Sequence, residues 1–269
     1  MKRLNFIKTD SIMETTEYGL IGKVLGHSYS ALYFNEKFAK ENINAHYNLF
    51  PLETIEMFPE LLDSHPHLAG LNVTIPYKVE VMRYLDELSE EAESIGAVNV
   101  IKIINKDGRK ILKGYNSDAY GFSESMKQVI EASGLSTTIQ NSTPSALILG
   151  TGGASKAVEW SMRKLGFKTQ LIGRTHRDNC MAYEELTPEM IDAATAVINC
   201  TPLGTSPDVN KAAPFPYQYL RKRQICFDLV YNPAETLFMR LCKAHGCTVS
   251  NGLEMLRLQA VGAWKIWNS

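Results

Sequence analysis

The chain has 269 residues, enough for one large or two modest domains at about 100–200 residues each. Apolar residues make up 45% and charged residues 21%, an ordinary balance for a packed protein that excludes wholesale disorder. The 28 Lys plus Arg against 29 Asp plus Glu leave a formal net charge of -1, which excludes a chain-wide basic field for nucleic acid.

Residues 1–12 carry no periodic pattern and are expected to be disordered, with Met13 an alternative start. Beyond them, short β-branched runs alternate with longer helical stretches, the pattern of an α/β fold. A first strand is expected at 18–22 (YGLIG), then a helix over about 31–40, where Leu32, Phe34 and Phe38 fall near helical spacing. Strands follow at 45–50 and 68–74, and Pro76 is placed to open a helix. The acidic stretch 86–93 reads as a solvated helix face. AVNVIKII and KILKGYN flank Lys106-Asp107-Gly108, so 97–116 reads as a hairpin with a glycine-containing turn. A polar interval at 133–144 is too short for a linker and reads as a loop. Strands are then expected at 145–150, 168–172, 195–200 and 224–230, apolar on both sides as in a parallel sheet covered by helices. Between the first two of these a helix runs to about Leu165, and a last helical stretch spans 252–267.

The five cysteines are odd in number and contain no C-x-x-C pair, which argues against a disulfide framework or closed zinc site. No stretch approaches a membrane span. A reducing compartment, the cytoplasm, is therefore expected, with no membrane and no nucleic-acid partner.

Gly150-Thr151-Gly152-Gly153-Ala154-Ser155 follows the apolar run ALIL and precedes a helix-compatible stretch. That is the setting of a dinucleotide loop: glycines let a pyrophosphate approach, and the helix N-terminus supplies N–H donors. Ser155 takes the third consensus position, and a structural turn is the alternative reading. The lysine of a P-loop is missing, which removes that reading. NAD-binding units place a carboxylate about 20 residues after the first glycine. The second strand here ends instead in Gly173-Arg174-Thr175, and an arginine there suits a 2′-phosphate, hence NADP. A solvated surface arginine is the alternative.

Four polar segments precede that loop. His27-Ser28-Tyr29-Ser30 places two hydroxyls two residues apart after a strand, able to receive a carboxylate. The plainer reading is a helix cap, with Ser30 capping the helix that follows. Asn72-Val73-Thr74 ends a strand, and Lys78 falls on the expected first helical turn; a lone lysine is usually a solvated charge. Gly96-Ala97-Val98-Asn99 and Gly114-Tyr115-Asn116-Ser117-Asp118 set polar side chains beside turn glycines and individually read as Asx-turns.

Together, these segments and the glycine loop resemble the signature set of shikimate dehydrogenases. So do Thr201-Pro202-Leu203-Gly204, Asp228-Leu229-Val230-Tyr231-Asn232-Pro233 and the run from Gly252 to Ala260. The resemblance runs in order from about Tyr18 to Trp267. It implies reduction of 3-dehydroshikimate to shikimate with NADPH, in the aromatic amino-acid pathway. It also implies two α/β domains with the site in the cleft between them: a substrate domain, 1–117 plus 252–269, and a Rossmann-like NADP domain, 118–251. By resemblance Lys78 and Asp118 are the catalytic pair. Ser28 and Ser30 hold the substrate carboxylate, while Thr74, Asn99, Asp118 and Gln259 bind ring hydroxyls with Tyr231 nearby. Gly150, Gly152, Gly153, Ala154 and Arg174 bind the cofactor, and Thr201, Leu229 and Gly252 line its pocket. The partner is a small-molecule substrate, the assembly a monomer or homodimer.

Ala31 replaces the usual proline, Val100 the usual threonine, and Cys200 and Thr205 also depart from the family pattern. The family's second basic residue falls at Asp178, with Arg177 one place earlier. The chemistry agrees with the resemblance: hydride addition to a ketone develops charge on its oxygen, which Lys78 can stabilise and protonate while Asp118 orients it, and no metal is required. Two alternatives stand beside this reading, an NAD-using quinate or quinate/shikimate dehydrogenase and a catalytically silent NADP-binding regulator.

Overall fold

Two six-stranded sheets organise the described residues, one from each half of the sequence. In the computed structural model, residues 15–26, 28–136 and 142–269 are described; the readings of residues 1–12, Met13 and His27 lie outside them. The first half runs β1 (Thr16–Gly22), α1 (Tyr29–Glu41), β2 (Ala45–Pro51), α2 (Phe58–Ser64), β3 (Leu68–Val73), β4 (Glu87–Leu88), α3 (Glu90–Ile95), β5 (Val100–Lys106) and β6 (Arg109–Tyr115). A long helix, α4 (Ser117–Ser133), leads to β7 (Ser145–Leu149), α5 (Gly153–Lys164), β8 (Lys168–Gly173), β9 (Cys180–Ala182), α6 (Pro188–Ala193) and β10 (Ala196–Asn199). β11 (Ile225–Asp228), α7 (Leu237–Ala244), β12 (Thr248–Ser250) and α8 (Leu253–Trp267) complete it.

The first sheet has the order β2-β1-β3-β5-β6-β4, and the second is wholly parallel in the order β12-β11-β10-β7-β8-β9. In both, chain order reverses beside the first strand, between β1 and β3 and between β7 and β10. Open sheets bind ligands outside the carboxyl ends of strands at such reversals. Those ends carry Gly22 and Val73 in one sheet, and the start of the glycine loop and Thr201 in the other.

α4 and α8 join the two sheets. Phe122 and Met126 of α4 and Met255 of α8 sit in the core of the parallel sheet with Ile148 and Phe227. The far end of α8 packs on the first sheet, where Trp267 stands among Tyr18, Phe34, Phe38 and Tyr47 and donates from Nε1 to the Ile101 carbonyl at 3.0 Å. The two helices approach closely because Gly121 has no side chain: a Cβ there would lie 2.6 Å from the Met255 carbonyl oxygen and 2.9 Å from the Gln259 nitrogen. The hairpin turn takes positive φ at both Asp107 (52°) and Gly108 (78°), the geometry that matches strand twist in a two-residue loop.

Three expectations change. Residues 76–79 form turns rather than a helix, followed by a short 3₁₀ segment at Glu80–Tyr84, because the Lys78 carbonyl accepts from the Val98 N–H at 2.7 Å instead of an intrahelical donor. Within 86–93 only residues from Glu90 on are helical. Ser89 caps that helix, β4 pairs with β6, and Asp86 accepts from the Leu112 N–H at 2.9 Å. The sequence pattern singles out no helix over 117–133, yet α4 forms there, capped by Asn116 and closed by Gly134 at φ 71°. All five cysteines are free thiols, and among the described residues no helix is long and apolar enough to cross a membrane.

Candidate active site

Asn99 is the centre of the site. Its Oδ1 accepts from the Ser117 N–H at 2.7 Å, and its Nδ2 donates to Asp118 Oδ1 at 2.8 Å and to Gln259 Oε1 at 3.2 Å. Its backbone carbonyl accepts from the Val73 N–H at 2.9 Å and from Asn72 Nδ2 at 3.2 Å. One buried residue thus binds the end of β3, the first turn of α4 and the middle of α8. Asp118, in that first turn, has its other oxygen 2.5 Å from Lys78 Nζ. The side chains of Lys78 and Asp118 are 14% and 7% exposed, so the pair is largely sheltered from bulk water.

Lys78 also touches the dinucleotide half. A Cβ on Gly153 would lie 2.9 Å from the Lys78 Cβ, so the start of α5 rests directly on the lysine stem. Thr74 stands at the end of β3, its methyl 2.5 Å from where a Gly22 Cβ would be. A polar chain then runs outward from Asn99: Tyr47 donates to Asn72 Oδ1 at 2.8 Å, and the Ser30 hydroxyl hydrogen-bonds Tyr47. Burial holds the Tyr47 phenol well above its usual range, so it remains a donor. The helix cap falls on Ser28, whose Oγ accepts from the Ala31 N–H at 3.4 Å, not on Ser30. Capping uses only the acceptor side of the Ser28 hydroxyl, leaving its O–H to donate.

On the opposite side, Gly150 takes φ 119° as it leaves β7, a conformation that suits glycine. The N-terminus of α5 at Gly152 carries no side-chain cap, and nothing stands within 4 Å of where a Gly152 Cβ would be. Uncapped N–H groups beside open space fit a pyrophosphate. Ala154 lies in that first turn, and Ser155 is fully buried beneath it. Next to the loop is a cavity of about 290 Å³ lined by Thr151, Gly173, Arg174, Thr175 and Arg177. Asp178 is outside that lining. Residues 177–180 form a tight turn, with Arg177 and Cys180 exchanging N–H to carbonyl bonds at 2.9 Å, and Asp178 occupies its tip. These donors and this shape fit an NADP cofactor.

The other pocket residues depend on a buried carboxylate. Asp228 accepts from Asn199 Nδ2 at 2.9 Å, the Val230 N–H at 3.0 Å and Thr236 Oγ1 at 2.5 Å. Asn199 in turn accepts from the Thr201 N–H and hydroxyl at 3.1 and 2.6 Å. The loops after β10 and β11 are fastened to one another in this way. Gly252 follows them because its Cα meets the Leu229 backbone: a Cβ there would be 2.1 Å from the Leu229 oxygen. Burial pushes the Asp228 carboxyl up to about 6 against the pull of its three donors, and raises the half-buried Tyr231 phenol.

The structure therefore brings together Lys78, Asp118, Asn99 and Gln259. It links Ser30 to them only through Tyr47 and Asn72, and no hydrogen bond among the described residues joins Tyr231 to the group. Sequence reasoning missed Tyr47, Asn72 as a site residue, Asn199 and the anchoring role of Asp228. The DLVYNP motif was the one signal for the last of these. Among the described residues no cluster of three or more His, Cys, Asp or Glu side chains could hold a metal ion.

Residues 20–101 match the family model for the shikimate dehydrogenase substrate binding domain. A protein of Caldanaerobacter subterraneus subsp. tengcongensis named shikimate dehydrogenase (NADP(+)) is 35% identical over 282 residues, covering 97% of this chain and 94% of that protein. The crystal structure of a shikimate 5-dehydrogenase from Thermus thermophilus, in complex with NADP(H) and shikimate, is 28% identical with a TM-score of 0.77, covering 94% of this chain and 93% of that one. A quinate dehydrogenase from Corynebacterium glutamicum in complex with NAD is 26% identical with a TM-score of 0.78, over 94% of this chain and 93% of that one.

Asp228 generates a pH prediction. Its carboxyl pKa is higher folded than unfolded, so the charged form opposes folding; the penalty is absent below about pH 4 and complete above about pH 6. At about 1.4 kcal/mol per unit, wild-type stability should fall by up to roughly 3 kcal/mol from this group as pH rises through that window. Urea unfolding of wild type and Asp228→Asn at pH 4, 5, 6 and 7 measures it. The difference in slope between the two should be confined to that window.

Proposed function

The chain belongs to the shikimate dehydrogenase family, and we propose that it reduces 3-dehydroshikimate to shikimate with NADPH. The observation that carries this is the buried Lys78–Asp118 pair at 2.5 Å, set where the start of α5 rests on Lys78. NADPH bound at the glycine loop supplies the hydride. Lys78 stabilises the charge that develops on the ketone oxygen and gives that oxygen its proton. Asp118, held by Asn99, keeps the ammonium aimed and can accept a ring hydroxyl. Gln259 and Thr74 reach the remaining hydroxyls, with Tyr231 at the edge. Ser28 donates its free O–H to the substrate carboxylate, and Ser30 turns its proton from Tyr47 to do the same.

Gly150, Gly152, Gly153 and Ala154 receive the pyrophosphate, while Thr201, Leu229 and Gly252 line the nicotinamide side. Arg174 and Arg177 on one cavity, with no carboxylate at the strand tip, support NADP over the NAD-using quinate reading. An assembled Lys78–Asp118 pair speaks against a silent regulator. In this reading residues 1–117 plus 252–269 form the substrate domain and 118–251 the NADP domain, the cut passing through the first turn of α4. The enzyme acts in the cytoplasm as a monomer or homodimer, without nucleic-acid or membrane partners.

Initial rates of NADPH oxidation on adding 3-dehydroshikimate test the reaction. Lys78→Ala should lower kcat by roughly 10²–10⁴ with a modest change in KM, as for loss of a positioned acid. A near-native kcat would remove Lys78 from the role.

Cofactor choice gives a second test. Arg174→Ala and Arg177→Ala should each lower kcat/KM for NADPH by about 10- to 100-fold, the worth of one charge-assisted contact, and leave NADH unchanged. Asp178→Ala should change neither. Equal use of NADPH and NADH by the wild type would contradict the arginine assignment.

A further inference from the structure

One face of α5 has a task the reaction as derived does not use. Gly153, at its start, rests on Lys78; one turn on, Lys156 Nζ donates to the Gly96 carbonyl at 3.2 Å; one turn further, Trp160 Nε1 donates to Ser94 Oγ at 3.1 Å. These residues are spaced at three and four, so they line a single stripe. Gly96 closes α3 with φ 68°, and its carbonyl is among the outward-facing groups at a helix end that favour a cation. Between the two polar bonds lies a small apolar cluster of Ile95, Ala97, Ala119 and Ala157, with Trp160 packed against it. Lys164 Nζ also stands over the indole, 5.3 Å from the ring centroid.

A cavity of about 660 Å³ opens beside these bonds; Ser94 and Ile95 contribute to its lining from the substrate half, and the rest of the lining, Lys156 and Trp160 included, comes from the α5 side. Separation of the halves is opposed at this edge by two hydrogen bonds and one small cluster, contacts weak enough to make and break.

We propose that Lys156 and Trp160 are positioning residues, a latch that seats the dinucleotide-binding helix on the substrate half at Gly96 and Ser94 and so sets the distance between the glycine loop and Lys78. The same rigid helix carries the loop at one end and the latch along its side. A shift at the latch therefore moves the bound dinucleotide relative to Lys78 without altering any group that binds it. The inference rests on the proposed reaction for its consequence, not for its existence.

The test uses the full chain as Lys156→Met, Trp160→Phe and their double variant, with Lys156→Arg as the conservative rescue and Ser94→Ala as the matching change on the other half. Hydrogen–deuterium exchange of peptides covering 92–99 reads the latch without turnover, titration of NADPH fluorescence reads cofactor affinity, and kcat reads alignment. In the double variant, exchange at 92–99 should rise about tenfold and kcat fall about tenfold, while NADPH affinity stays within about twofold. Lys156→Arg should restore both, and Ser94→Ala should match Trp160→Phe. Unchanged exchange in the double variant, or faster exchange with wild-type kcat, would overturn the proposal, as would a loss of kcat/KM wholly accounted for by weaker NADPH binding. A wild type that does not turn over 3-dehydroshikimate would defeat the reaction reading alone, since exchange still reports the latch.

Discussion

The structure depends on one carboxamide. Asn99 sits where β5 begins, and its side chain and carbonyl fasten β3, α4 and α8 to each other. Every one of these partners is buried, so losing the amide would strand donors and acceptors at about 1–3 kcal/mol each. That cost is what fixes Asp118 against Lys78 and draws Gln259 across from the far end of the chain. Gly121 makes the same convergence sterically possible, because a side chain there would push α8, and Gln259 with it, away from α4.

Two strand reversals and two helix N-termini then meet at one place. α4 begins at the Lys78–Asp118 pair, and α5 begins against the stem of the same lysine. Both helix starts bring partial positive charge there, which favours the Asp118 carboxylate in the first turn of α4 and suits a pyrophosphate at the start of α5. Asp228 does for the loops after β10 and β11 what Asn99 does for β3, α4 and α8: one buried side chain ties segments that leave neighbouring elements. The two anchors differ in chemistry, since the carboxylate can be neutralised by acid and the carboxamide cannot.

The strands were readable because their apolar runs follow from burial on both faces, and the Asp107-Gly108 turn because only residues tolerant of positive φ fit it. The candidate residues that carry a motif, among them Lys78, Asp118 and the glycines, could be singled out from their order along the chain, and the fold brings Lys78, Asp118 and Gly153 together. What could not be read depends on distant pairing. α4 has Ser and Gly where an amphipathic pattern would put apolar residues, and its partner α8 lies more than a hundred residues later. Tyr47 reaches Asn72 only because β1 lies between β2 and β3, an order the local pattern does not encode. Arg177 lines the cavity beside the glycine loop, and Asp178 does not, because of a turn closed by two backbone bonds. Ser28 rather than Ser30 caps α1 because the helix starts at Tyr29, ahead of the first apolar residue in the pattern.

That Lys78 and Asp118 act as one unit, assembled by Asn99, is the central claim, and a double-mutant cycle on kcat tests it most directly. Lys78→Met, Asp118→Asn and the double variant would be compared in NADPH oxidation with 3-dehydroshikimate. If the pair works as a unit, the double variant should lose about as much kcat as the worse single variant, the behaviour of residues that share one catalytic task. Losses that multiply, with each single change costing the same whether or not the other is present, would mean that the two side chains act independently and would contradict the account.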